Sequence, residues 1–246
     1  MGWLKGSAGL FGASGRGLEQ YSFKEAKTGK EQIVADTGHV KHTRGDEPVR
    51  LFKSDFLEFF THIHPAVVVA LWLPVIVALL VVAVVKQPAG LWGTLAIPLG
   101  FLAGLFLWTP AEYLLHRFVF HFRPRNAWQE RVSFLAHGVH HAQPKDKTRL
   151  VMPPAVSIPL ALLFFGLFWL VLGVALGVPH WIAPTFAGFL TGYLAYDLIH
   201  YATHHIRMRK GIGKALVRHH MQHHGKAWNR QYGVSSPLWD LVFRTM

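Results

Sequence analysis

The chain has 246 residues, of which 51% are hydrophobic and only 15% are charged. Soluble domains normally carry about 25% charged residues, so this composition indicates a membrane protein. The chain has no cysteine, which excludes a disulfide framework and thiolate metal ligands. The formal net charge is +12, and the 17 histidines are far more than packing alone requires.

In chain order, residues 1–47 are polar and predict a partly flexible N-terminal lead-in, whereas residues 48–246 predict one membrane domain. Between residues 48 and 64, aromatic and charged residues alternate, which is typical of an amphipathic segment on a membrane surface. Four apolar stretches then have about the 20 residues that cross a hydrocarbon core. These predicted spans are residues 65–85, 91–115, 155–178 and 182–204.

The basic residues predict the topology of these spans. The hairpin turns at residues 86–90 and 178–181 contain one basic residue, Lys86, and the other 24 Lys and Arg lie in residues 1–64, 116–150 and 206–246. An even number of spans puts these three segments on one side, and the positive-inside rule makes that side cytoplasmic. We therefore assign the basic excess to topology and anionic lipid headgroups, and expect no nucleic-acid partner.

Twelve histidines form four groups at the predicted cytoplasmic ends of the spans. The groups are "HRFVFH" (116–121), "HGVHH" (137–141), "HYATHH" (200–205) and "RHHMQHH" (218–224). Residues three and four apart share one face of a helix. The histidines that align in this way are His137, His140 and His141; His200 and His204; and His220, His223 and His224.

Three members of these groups do not align. His205 and His219 point away from their neighbours on a helix, so they are weaker ligand candidates. His121 can share a site with His116 only if the helix ends or bends between them. The five scattered histidines are explained as ordinary solvated or interfacial residues: His39, His42, His62, His64 and His180.

Neutral imidazole is the commonest side-chain ligand for transition metals. The eight aligned histidines, together with His116 and His121, exceed the coordination of one ion and predict a two-metal site, although ligand type does not distinguish zinc, iron, copper and nickel. Glu112 and Asp197 precede His116 and His200 by four and three residues on the same helical faces. We predict that each carboxylate accepts the other N–H of that imidazole, as supporting groups around metal ligands do.

The motif order HX4H, HX2HH, HX3HH, HX2HH with four spans resembles the fatty acid hydroxylase and sterol desaturase superfamily. Within it, "EYLLHRFVFHF", "HGVHHAQPKDKTRLVMPP", "YDLIHYATHH" and "YGVSSPLWDLVFRT" look like the fatty acid 2-hydroxylases of sphingolipid metabolism. The resemblance covers about residues 48–246. It implies an all-α integral membrane protein, with four transmembrane helices in two hairpins and a cytosolic helical cap that carries a histidine-rich di-metal site. The ligands it implies are His116, His121, His137, His140, His141, His200, His204, His220, His223 and His224. Because this set includes His121, the resemblance also predicts a bend or helix end near Phe120.

The resemblance also implies O2-dependent hydroxylation at the 2-position of a long-chain acyl group, either free or in ceramide. Two iron ions are the implied cofactors; zinc can occupy such sites in isolated protein, but it is redox-inert and supplies no oxidant for a C–H bond. Some members carry a fused cytochrome b5 domain. Here about 60 residues precede the first span without an "HPGG" haem motif, so we expect electrons from a separate cytochrome b5-type carrier and its reductase, docking on the basic face.

Two alternatives remain at this point. One is a related oxygenase or desaturase that acts on a sterol, carotenoid or alkane, against which the connecting residues argue. The other, from a different class, is a non-catalytic membrane zinc-binding protein or a metal transporter; a transporter would place its ligands at mid-membrane, whereas these lie at one face. The site should face the cytoplasm, at the endoplasmic reticulum of a eukaryote or the cytoplasmic membrane of a bacterium.

Overall fold

The computed structural model describes residues 49–225 and 227–246, and within these ranges the regular secondary structure is helical. The expected flexible lead-in at 1–47, with His39 and His42, lies outside the described residues. In chain order the helices are α1 (Asp55–Phe59), α2 (Pro65–Lys86), α3 (Leu91–Leu114), α4 (Ala127–Ser133), α5 (Val139–Ala142), α6 (Pro154–Phe168), α7 (Ile182–His205), α8 (Gly211–His224) and α9 (Leu238–Val242). Three π-helical segments continue α3, α4 and α6: Leu115–Phe120, Phe134–Gly138 and Trp169–Ala175.

Three of the described helices are long and apolar enough to cross a membrane: Pro65–Lys86, Leu91–Phe120 and Pro154–Ala175. They begin within one residue of the first three predicted spans. Their surfaces expose large apolar side chains, such as Val85 at 75% and Leu163 at 68%. An apolar surface of this extent is typical of contact with lipid, and the protein is therefore a membrane protein.

The fourth predicted span, 182–204, coincides with α7 but is not among those three helices. Polar side chains such as Thr185, Asp197 and His200 lower its apolar character. The other helices cover it instead, since 14 of its 24 residues are buried. A helix shielded by other helices can carry polar groups that a lipid-facing helix cannot.

Helices α3 and α7 pack with their backbones in contact. A methyl group built on Gly104 would lie 1.8 Å from the Thr185 carbonyl oxygen, and one on Gly188 would lie 1.9 Å from the Phe101 carbonyl oxygen. Glycine is therefore needed at both positions, as in close helix pairs within membranes. Contacts advance in the same direction along both helices, from Gly100 near Pro184 to Trp108 near Gly192. The two helices are parallel, so their histidine-bearing C-terminal ends lie at the same end of the bundle.

Aromatic side chains fill the space around α7. The Trp108 ring lies 5.2 to 5.7 Å, between centroids, from the rings of Phe189, Tyr193 and Tyr196. From α2, the Trp72 ring meets Tyr193 edge-on at 5.8 Å. Edge-to-face pairs of this kind contribute about 0.5–1.5 kcal/mol each beyond the area that they bury. They hold α7 firmly below the histidines.

The segment before the first span contains the short helix α1. Its Phe56 and Phe59 side chains are exposed, as an amphipathic segment requires. On the opposite side, Glu58 accepts the N–H groups of Leu51 and Phe52 at 2.9 and 2.8 Å. Glu58 also forms an ion pair with the buried side chain of Arg149. The segment is therefore tied to the polar stretch that precedes α6.

Candidate metal centre

A π-helical turn brings the first two histidines together. The turn over Leu115–Phe120 closes with a hydrogen bond from the His121 N–H to the His116 carbonyl, at 3.1 Å. Because π-helices place residues i and i+5 above one another, the two rings approach to 5.0 Å between centroids. The helix ends at Phe120, where the sequence predicts an end or bend.

Ten histidines converge into two clusters at the C-terminal ends of α3 and α7. Within each cluster, one ligand nitrogen from every member lies within 4.8 Å of the others. The first cluster consists of His116, His121, His137, His141 and His223. The second cluster consists of His140, His200, His204, His220 and His224.

Neighbouring histidines on one helix do not all serve the same cluster. His137 and His141 belong to the first cluster, whereas His140 belongs to the second. Similarly, α8 contributes to both clusters. Between the clusters, the rings of His141 and His224 stack at 4.2 Å. The two clusters therefore adjoin as one centre.

The arrangement of ring nitrogens fits a metal ion in each cluster. The facing Nε2 pairs include His116–His137 at 3.1 Å, His121–His223 at 3.0 Å, His140–His200 at 3.0 Å and His204–His220 at 2.9 Å. Imidazole nitrogens bind a first-row ion at about 2.0–2.1 Å, so two that bind at right angles lie about 3 Å apart. With five nitrogens in each cluster, the geometry fits five or six coordination, with room for a further ligand.

The histidine rings are held in the neutral form that binds metal. Burial, followed by repulsion from neighbouring imidazoles, keeps the pKa of His137 and of His140 well below the usual value. Burial likewise lowers the pKa of His223 to about 4 and that of His224 to about 3. At neutral pH these side chains present lone pairs to the centre of each cluster.

Asp197 is buried below the second cluster, but its hydrogen bonds differ from the predicted one to His200. Its carboxylate accepts the Tyr193 hydroxyl at 2.9 Å and the Met152 N–H at 3.2 Å. The carboxylate thus joins α7 to the residues that precede α6. Helical spacing predicted Asp197 and His200 on one face, but the carboxylate accepts a backbone N–H from another segment instead.

Glu112 shows the same departure from its prediction. It does not hold the His116 ring; it accepts the N–H groups of Val234 and Ser235, at 2.7 and 2.8 Å. The Ser235 hydroxyl donates to the same carboxylate. Both partners lie far along the chain, so no local pattern around Glu112 could indicate them.

Backbone carbonyls are the partners that sequence reasoning missed. The His116 Nδ1–H donates to the Tyr232 carbonyl at 2.5 Å, and the His223 Nδ1–H donates to the Arg230 carbonyl at 2.6 Å. Each bond fixes the ring orientation and leaves Nε2 free to bind metal. Every residue has a carbonyl, so residue types carry no signal for this role.

The weaker candidates lie outside both clusters. His219 pairs with the buried carboxylate of Asp240 at 3.1 Å, and the His205 ring contacts Tyr201 at 4.7 Å. The remaining described histidines are His62, His64 and His180, and none belongs to either cluster.

Comparison with known proteins bears on the reaction. The model of the fatty acid hydroxylase family matches residues 101–245. The dihydroceramide fatty acyl 2-hydroxylase FAH1 of Arabidopsis thaliana is 37% identical over an alignment of 228 positions that covers 88% of this chain and 92% of the relative. The human fatty acid 2-hydroxylase is 34% identical over an alignment of 228 positions that covers 83% of this chain and 58% of the relative.

A solved structure gives the same likeness in three dimensions. Full-length scs7p, of which only the hydroxylase domain is visible, matches with a TM-score of 0.70 and 38% identity. The match covers 78% of this chain and 69% of that one. Fold and sequence therefore point to the same group of proteins.

Proposed function

The chain belongs to the fatty acid hydroxylase family and is an oxidoreductase; on this premise we propose that it hydroxylates the 2-position of long-chain acyl groups, free or in ceramide. The observation that carries the proposal is the pair of adjoining five-histidine clusters. A di-metal centre of this kind suits oxidation of a C–H bond, while the relatives' names supply the acyl substrate and the position. The names of these relatives mention no sterol, carotenoid or alkane substrate.

We assign the ten clustered histidines as the ligands of two iron ions, five to each. Bound there, iron would supply the redox chemistry that activates O2, which zinc lacks. The overall reaction converts the acyl C–H, O2, two electrons and two protons into the hydroxyl product and water. The chain's contribution is to hold ten neutral imidazoles in place before the metals bind.

We infer four membrane spans, with α7 as the fourth. Helices α3 and α7 are parallel, so α6 must return the chain between them. The ring pair Phe165–Phe186, at 5.2 Å, and the cavity shared by Ser157 and Tyr193 indicate that α6 runs antiparallel to α7. The clusters then lie at the cytoplasmic face, where most basic residues lie. In a eukaryote this predicts the endoplasmic reticulum, and in a bacterium the cytoplasmic membrane.

The substrate would lie partly among these spans. A small cavity between α3, α6 and α7 is lined by Trp108, Phe164, Phe189 and Tyr193. Tyr193 precedes His200 by seven residues, or about 10 Å of helix. We propose that the acyl tail remains in this apolar layer while its polar end reaches the clusters, so that anchoring the polar end selects the 2-position. Asp197, beside Tyr193, helps to position α7 for this purpose.

Electrons would come from a separate cytochrome b5-type protein and its reductase. Residues 198–239 contain no Asp or Glu, whereas Arg207, Arg209, Lys210, Lys214 and Arg218 are exposed on or before α8. This positive surface includes the start of α8 and the residues before it, and α8 carries three clustered histidines. An acidic carrier would be attracted to it and brought close to the metals.

Mass spectrometry of lipids from cells that express the wild type or His140→Ala tests the proposal. We expect 2-hydroxylated acyl chains with the wild type and their loss with His140→Ala. His180→Ala, which changes a histidine outside both clusters, serves as the control and should behave as the wild type. Equal product from His140→Ala and the wild type would contradict the proposal. Bound metal without turnover, given a working electron source, would favour a non-catalytic zinc protein.

A further inference from the structure

The segment of residues 230–235 lies against the first cluster. Its Tyr232 and Arg230 carbonyls accept the Nδ1–H groups of His116 and His223, at 2.5 and 2.6 Å. Two of the five first-cluster rings are therefore oriented by one short stretch of backbone. The orientation of these rings depends on whatever holds that stretch in place.

Asp240 holds the segment from one side. Its carboxylate accepts the N–H groups of Tyr232 and Gly233 at 2.9 and 2.8 Å and the Thr245 hydroxyl at 2.7 Å. It also pairs with His219, next to a second-cluster ligand on α8, at 3.1 Å. Asp240 is fully buried and touches no clustered ring through these bonds.

Glu112 holds the other end of the segment. It is 3% exposed and accepts the N–H groups of Val234 and Ser235 at 2.7 and 2.8 Å, together with the Ser235 hydroxyl. Glu112 lies one turn before His116 on α3. The same helix therefore supplies the ring and, through Glu112, fixes the position of that ring's carbonyl partner.

The backbone of the segment adopts a conformation that needs this support. Gln231, between the two carbonyl residues, has φ +58°, in the left-handed region that non-glycine residues rarely adopt. Its N–H donates to the Thr245 carbonyl at 2.7 Å. A strained residue persists where its surroundings over-determine it, and such residues concentrate at functional sites.

The second cluster lacks equivalent support at two of its rings. Nδ1 of His220 and Nδ1 of His224 are buried without a hydrogen-bond partner among residues 49–225 and 227–246. Packing of α8 against its neighbours holds these rings in place. A ligand ring without a fixed partner is less basic and less well oriented than one that donates to a carbonyl.

We infer that Glu112 and Asp240 are positioning residues of the first cluster, and that this cluster holds its metal ion more tightly than the second. The inference rests on the proposed di-metal function. It assigns unequal roles to two clusters that contain the same number of imidazoles.

Titration of the full chain with Co2+ tests this difference. The protein is purified in detergent, stripped with a chelator and titrated with Co2+ alone, while visible absorption reports each bound ion. We expect two equivalents in separate steps that differ by about 10- to 100-fold in affinity, the effect typical of lost supporting partners. His116→Ala should remove the tight step and His200→Ala the weak one, which assigns the steps to the clusters.

Asp240→Asn then tests the positioning role. The amide keeps one acceptor oxygen but loses the second, which bonds to Gly233 and His219. We expect the tight step alone to weaken, by about 10- to 100-fold, with a changed Co2+ spectrum for that step. The matched control is Asp146→Asn, since Asp146 also folds a loop, accepting the Thr148 N–H and hydroxyl at 2.9 and 2.7 Å. These bonds of Asp146 to Thr148 do not involve segment 230–235, so both Co2+ steps should be unchanged.

Circular dichroism checks that each variant is folded. If Asp240→Asn does not fold, Ser235→Ala removes only one donor to Glu112 and should weaken the same step by a smaller factor. Equal affinities in the wild type, or an equal effect of Asp240→Asn on both steps or on neither, would overturn the inference and leave the proposed function standing. Fewer than two equivalents in the wild type would contradict the proposed function and the inference together.

Discussion

The two histidine clusters use the same number and type of side chain but are built differently. The second cluster takes His200 and His204 from the last turns of α7, a long helix buried among the others. The first takes His116 and His121 from the π-helical end of α3. Two of its rings, His116 and His223, donate hydrogen bonds to backbone carbonyls of residues 230–232. The second cluster thus takes two of its rings from a long buried helix, whereas two rings of the first are held by a folded segment that two buried carboxylates fix in place. The two clusters contain the same number of histidines but are held by different contacts.

The largest expected effect comes from removing one ligand from either cluster. His121→Ala and His204→Ala should each lower bound metal by about one equivalent and reduce product formation by about 100-fold or more, because the proposed reaction needs both metals. Metal analysis and lipid mass spectrometry measure the two effects. If either variant kept full metal and activity, that cluster would not be part of the centre.

Acidification should affect both clusters of the metal-free protein alike. Burial holds the pKa of His223 at about 4 and that of His224 at about 3, whereas unfolded imidazoles titrate near 6.5. The unfolded state therefore binds more protons below about pH 6.5, so stability falls as pH decreases from there towards 4, by about 1.4 kcal/mol per pH unit for each extra proton. Thermal unfolding with chelator at pH 7, 6 and 5 measures this loss. Bound Zn2+ should shift the loss to lower pH, and a flat profile without metal would contradict the prediction.

Separating α3 from α7 should damage both clusters, because clustered histidines lie at the C-terminal end of each of these helices. Gly188→Ala places a methyl group 1.9 Å from the Phe101 carbonyl oxygen, and we expect a loss of about 1–3 kcal/mol of stability. Thermal unfolding and metal content report the effect. Gly166→Ala is the matched control on α6, where an added methyl group meets nothing within 4 Å. A loss of equal size in the control would show that the α3–α7 contact is not the cause.

The smallest effect is expected from Tyr193→Phe, which bears on the second cluster through α7. It removes the 2.9 Å hydrogen bond to Asp197 and leaves the Met152 N–H in place. A typical intramolecular hydrogen bond contributes about 0.5–1.5 kcal/mol, so we expect a modest loss of stability with the tight Co2+ step unchanged. Tyr201→Phe, one turn after Asp197 on the same helix, is the control. A weakened tight step in Tyr193→Phe would mean that the two clusters are not independently supported.

Much of this protein follows from local patterns in its sequence. Apolar runs predicted the positions of α2, α3 and α6, because a hydrocarbon core requires a minimum length of apolar helix. Spacings of three and four residues selected eight of the ten histidines that the structure brings together, since that spacing aligns side chains on a helix. The family resemblance added His116 and the misaligned His121, and with them the position where a helix had to end or bend.

The tertiary structure alone decided how these parts combine. Local spacing placed His137, His140 and His141 on one face, but only the packing of α3, α5, α7 and α8 divided them between two clusters. The partners of Glu112 and Asp197 are backbone N–H groups from distant segments, and those of His116 and His223 are backbone carbonyls. Helix periodicity is encoded within a few neighbouring residues, whereas backbone partners depend on where remote segments meet. The sequence by itself therefore determined which side chains would form the centre, and the fold decided which cluster each one joins and what holds it there.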